Sequence, residues 1–80
     1  MVLCKVIGAV VSQEKVEALL GKKLLLCELK DGGPRRRIVA VDLVGAGPGS
    51  EVLVSRRHGG EGRYADDQIV GIVDAVNVQQ

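Results

Sequence analysis

Val39-Ala-Val-Asp-Leu-Val-Gly-Ala-Gly-Pro-Gly-Ser-Glu-Val-Leu-Val54 sets two valine-rich runs on either side of a segment in which Gly45, Gly47 and Gly49 alternate with Ala46, Pro48 and Ser50. Valine favours the pleated, half-buried environment of a strand. Glycine supplies positive φ without a Cβ clash, and proline removes a backbone donor, so the middle of the stretch reads as a sharp corner between two strands. All three glycines are expected to serve that corner through positive φ. The spacing also invites a phosphate-loop reading, but that fingerprint needs a helix to open at the last glycine. Here Glu51-Val-Leu-Val-Ser55 follows, a strand by its β-branched content.

Working outward, four further segments take shape. Val2 to Val11 is a β-branched run with apolar residues in both alternating sets, and Gly8 inside it predicts a bulge or a close approach by another backbone. Val16, Leu19 and Leu20 fall at helical spacing before Gly21, compatible with a short helical turn or a compact loop. Lys23 to Leu29 is too short for a helix between its bounding turns and reads as the second strand. Asp31 to Pro34 is a turn, after which Arg35-Arg36-Arg37 leads into the third strand, Ile38 to Asp42. Strand alternation puts Arg35 and Arg37 on one face. The fourth strand is Glu51 to Ser55, the glycine-bearing segment Arg56 to Arg63 is expected to be mobile, and the fifth strand is Ile69 to Val78.

Five short strands with glycine at the bends predict an all-β domain, a small five-stranded OB-like barrel spanning residues 1–80. Its core is unusual in kind. The chain is 46% hydrophobic but has one aromatic residue, Tyr64, so valine, leucine, isoleucine and alanine supply nearly all the apolar area. A domain of this size without bulky anchors generally adds disulfides, a metal or oligomerisation. Cys4 and Cys27 lie singly in apolar runs without metal or redox spacing, and read as reduced, buried thiols. The predicted hairpin register, with Val11 opposite Lys23, offsets them by about three residues, beyond disulfide reach. His58 is the single histidine, so neither a catalytic metal nor a Ser-His-Asp arrangement is supported. No cofactor and no enzymatic activity are expected. Oligomerisation is left, and the first, second and fifth strands carry Val, Leu or Ile on both faces, more than a barrel this small can enclose.

A net charge of +1 implies no overall pull toward nucleic acid or an anionic membrane. No membrane partner is expected, and the absence of a targeting signal together with the lone cysteines fits the cytoplasm. The rival function is an OB-fold nucleic-acid-binding module using Arg35 to Arg37 with Arg56 and Arg57. That mode stacks bases on aromatic side chains, and one tyrosine is too few.

Val6-Ile-Gly-Ala-Val-Val11, Gly21-Lys-Lys-Leu-Leu-Leu26, the central Val39 to Val54 stretch and Ile69-Val-Gly-Ile-Val-Asp74 together resemble the bacterial microcompartment vertex proteins of the EutN/CcmL type, in the family's order and over nearly the whole chain. The resemblance implies an OB-like protomer, a homopentameric ring, a structural role at the corners of a polyhedral shell, and hexameric shell proteins as facet neighbours. It also implies turn or subunit-interface roles for Asp42, Gly45, Gly47, Gly49, Asp66 and Asp74. Three departures stand out: Cys4 where the family usually has a small residue such as glycine, Cys27 where valine is common, and Arg56 to Arg63 in place of a Gly-Ser-Ser-Ala-Arg signature.

Overall fold

The computed structural model describes residues 1–11, 21–56 and 67–74. Five strands appear in chain order: β1 (Val2–Val10), β2 (Leu24–Leu29), β3 (Arg37–Asp42), β4 (Glu51–Arg56) and β5 (Asp67–Ile72). They close into a barrel in the order β1-β2-β3-β5-β4, with β3 and β5 parallel and every other pair antiparallel. The expected small all-β barrel is therefore what this sequence builds.

The β1–β2 register begins as the hairpin reading requires, with Val10 opposite Leu24 and Gly8 opposite Leu26. It then slips by one between Gly8 and Val6, so that Val6 faces Cys27. This is the bulge that Gly8 signals in the sequence. An extra residue lets a long strand bend and serve two neighbours, and β1 does so, pairing with β2 along most of its length and with β4 through Val2 to Lys5. A second slip, between Leu53 and Val54, bends β4 against β5.

Inward-facing residues form one cluster of Cys4, Val6, Leu25, Cys27, Ala40, Ala46, Val52, Val54 and Ile69, with Val2, Leu29 and Ile38 packed against it. Each fully buried Val, Leu or Ile contributes about 1.5–3 kcal/mol. Cys4 and Cys27 are both buried and free, as expected. Cys4 faces Leu29 and Val6 faces Cys27, which makes the two cysteines diagonal neighbours on one face. Such neighbours sit about 7–8 Å apart, whereas a disulfide brings its Cα atoms to about 5.5–6 Å.

The last strand differs from its expected span of Ile69 to Val78. It starts at Asp67, because Arg56 and Ser55 of β4 offer partners to Asp67 and Gln68, a polar pairing that a search for apolar runs passes over. It ends at Ile72, because β4 begins at Glu51, whose carbonyl accepts from Val73 N–H at 2.8 Å, and Ser50 before it is committed to Val6. The second strand likewise starts one residue later than expected, at Leu24. The expected helical turn around Val16 to Leu20 and the loop beyond Arg56 lie outside the described residues.

Candidate functional site

The corner between β3 and β4 is organised by one side chain. Asp42 ends β3 on the inward face, opposite Ile69 of β5, and its carboxylate turns back over the residues that follow. Asp42 Oδ1 accepts backbone N–H bonds from Val44 (3.1 Å), Gly45 (3.1 Å) and Ala46 (3.2 Å). The residue as a whole is half-buried, but its side chain is only 2% exposed. Lys23, just ahead of β2, completes the arrangement by donating to the Ala46 carbonyl at 2.7 Å, with its Nζ 3.8 Å from Asp42 Oδ2. Beyond Ala46, Gly47 N–H donates to Ser50 Oγ at 3.3 Å and Gly49 N–H to the Val6 carbonyl at 2.8 Å. Successive amides of this kind form an anion-binding concavity, and here an aspartate of the same chain fills it. The glycine-rich corner therefore has no free amide cradle for a phosphate.

Gly45 and Gly49 adopt φ of 82° and 90°, conformations that cost an L-residue about 1–2 kcal/mol. Gly47 does not share this feature, which corrects the expectation of positive φ at all three glycines. A two-residue alternation keeps the glycines apart, and the chain reverses only at the first and third, while Pro48 and the Ser50 bonds hold the segment between them. A Cβ at Gly47 would meet nothing within 4 Å in the protomer. Asp74 lies exposed beyond β5 with no hydrogen bond or ion pair to the described residues. Asp66 lies outside the described residues.

The arginine run is paired. Arg35 and Arg37 both reach the Glu28 carboxylate, at 3.3 and 3.6 Å, as their shared face predicts, and Arg36 is hydrogen-bonded to Asp31. Arg56 donates to Asp67 Oδ1 at 3.1 Å across β4 and β5. These cations are already held by acids of the same chain.

The two thiols are held in their protonated form. Burial pushes the Cys27 thiol up to about 11 and raises Cys4 as well, although Arg56 partly offsets the effect at Cys4. Neither is a thiolate near neutral pH, and the thiolate is the reactive form. Glu51, half-buried at the start of β4, has its carboxyl held below the usual range by a hydrogen bond from Lys30. Among the described residues no cluster of three or more His, Cys, Asp or Glu could hold a metal.

The outer surface of the barrel is distinctive. Glu51, Lys5, Glu28 and Arg37 are successive cross-strand partners on β4, β1, β2 and β3, a belt of alternating charge. To one side of it lie Leu3, Leu53 and Gly71, partners on β1, β4 and β5, with Val70 at the slip. To the other side lie Gly8, Leu26 and Val39, partners on β1, β2 and β3. Leu53, Val70 and Val39 are 36%, 37% and 43% exposed. The two-sided apolar pattern of the first, second and fifth strands is thus real, and it extends to Val39 and Leu53 on the third and fourth. Those two were hidden because a single apolar residue between buried ones looks like more core. Lys23 was also missed as a corner residue, since nothing local to a lysine tells which distant carbonyl it will meet.

The sequence profile of the family described as "Ethanolamine utilisation protein EutN/carboxysome" matches residues 1–77. The carboxysome shell vertex protein CcmL of Synechocystis sp. is 46% identical, with 98% of this chain and 87% of that protein covered. The microcompartment shell vertex protein PduN of Salmonella typhimurium is 43% identical, with coverage of 96% and 99%. Among solved structures, the GrpN pentameric microcompartment shell protein of Rhodospirillum rubrum superposes with a TM-score of 0.81 at 42% identity over 100% of both chains.

Proposed function

The chain belongs to the EutN/CcmL family, and from that premise we propose that it is a structural shell protein whose five-membered rings close the vertices of a bacterial microcompartment in the cytoplasm. The observation that carries this reading is the full-length match to a pentameric shell protein by a barrel whose outer walls expose apolar side chains. Facets tiled by six-fold units close into a polyhedron when five-fold units occupy the corners, and cyclic symmetry gives each protomer the same outward edge. Hexameric shell proteins are the facet neighbours in this proposal. The role is mechanical, and the protein acts without a cofactor.

The nucleic-acid reading is disfavoured by the single aromatic residue and by the pairing of Arg35, Arg36 and Arg37 with Glu28 and Asp31. Non-specific strand binding depends on cations free to replace counterions at phosphates. Native mass spectrometry of the purified protein is expected to give five protomers, and filter binding at low salt no retention of single-stranded DNA. Deleting the gene in its host is expected to yield elongated or unsealed shells whose cargo is open to added protease. Closed, regular, protease-resistant shells from that strain, with no second vertex protein encoded, would overturn the capping role.

A further inference from the structure

We infer that adjacent protomers meet through two unlike apolar patches on opposite sides of the charged belt, one built on Leu3, Leu53 and Val70 and the other on Gly8, Leu26 and Val39. The inference rests on the ring proposed above and assigns its contact surfaces. A ring of odd order cannot be made from self-complementary contacts; each protomer must offer two different surfaces, one to each neighbour. The strand order around the barrel places β4, which carries Leu53, across from the β2–β3 seam that carries Leu26 and Val39. The two patches therefore face away from each other, and the belt of Glu51, Lys5, Glu28 and Arg37 separates them along the outer surface.

The first patch projects leucine and valine side chains, Leu53 and Val70 among the exposed large hydrophobics. The second exposes Val39 beside Leu26, with Gly8 opposite Leu26 on β1. Gly8 belongs to the β1 bulge and leaves open space where a Cβ would stand, room for a neighbour's side chain in the ring. Charge agrees with the same occupant. Lys5 and Glu51 border the first patch and Glu28 and Arg37 the second, so each border presents both signs and the two can meet with unlike charges facing, as a polar rim does around an apolar contact. A second copy of this chain supplies both surfaces.

The test uses Leu53→Cys, Val39→Cys and the double variant, treated with a short flexible bis-maleimide at low protein concentration. The native cysteines are buried and do not compete. In a ring joined this way, each single variant gives no covalent dimer, while the double variant gives a ladder that ends at five protomers. Cysteine is small and apolar, so these variants keep the fold. In parallel, Leu53→Asp and Val39→Asp are each expected to be monomeric, and a mixture of the two to form dimers, one intact contact per pair, but no ring. Cross-linking of either single variant alone, no ladder from a double variant that is pentameric by native mass, or an intact ring from either aspartate variant would overturn the patch assignment while leaving the ring in place. A parent protein that is not pentameric would instead remove the ring reading itself.

Discussion

Replacing Asp42 with alanine tests whether the corner is held by its carboxylate. Three backbone donors lose their acceptor, those of Val44, Gly45 and Ala46. Val44 and Gly45 are exposed, so water can satisfy them after the change; Ala46 is 1% exposed, and its N–H would be left without a partner. Hydrogen bonds to a charged group contribute about 1.5–3 kcal/mol each, and an orphaned buried donor costs about 1–3 kcal/mol. The three bonds share one oxygen and do not add in full, so the loss is expected at about 2–4 kcal/mol. For a domain of this size each kcal/mol lowers Tm by about 4–8 °C, which predicts a fall of roughly 8–32 °C. Asp42→Asn keeps an oxygen in place without the charge and is expected to lose about half as much, since neutral hydrogen bonds are roughly half as strong. The assay is thermal unfolding followed by circular dichroism. All variants are compared at one protomer concentration, because the Tm of an assembly depends on it. An alanine variant that melts within about 3 °C of the parent, less than a single kcal/mol, would show that water or Lys23 can hold the corner and that Asp42 does not organise it.

At the glycines, Ala substitution is expected to cost about 1–2 kcal/mol at Gly45 and at Gly49, where φ is positive, and close to nothing in protomer stability at Gly47; denaturant unfolding of the three variants separates them. The thiols are expected to leave the intact mass unchanged on reduction and to react with a thiol reagent only after denaturation. Because folding raises the Cys27 thiol from 9.0 to about 11, the unfolded chain loses this proton first, and stability falls as pH rises from 9.0 toward 11. Cys27→Val should flatten that part of the pH profile, and equal alkaline slopes for parent and variant would remove the assignment. Glu28→Ala is expected to cost less than about 1 kcal/mol, an effect that added salt reduces further, because Arg35 and Arg37 are largely exposed.

The class of the fold and the position of the corner were legible in the residues alone. Those properties are local: β-branched runs bounded by glycine and proline define strands, and Gly8 announces its bulge. Alternation alone put Arg35 and Arg37 on one face. The tertiary structure decided everything that depends on which distant residues meet. Closure of the barrel chose Glu28 as the acid shared by both arginines, brought Lys23 to the carbonyl of Ala46, and let Asp42 fill the amide concavity that the glycine spacing alone leaves open to a phosphate. It also distinguished Gly47, with its ordinary φ, from Gly45 and Gly49, a difference that identical residue types at equal spacing cannot carry. Val39 and Leu53 belong to apolar runs either way. Only the pairing of β3 with β2 and of β4 with β1 turns them outward, because a strand's side chains alternate and the register fixes which set faces the core.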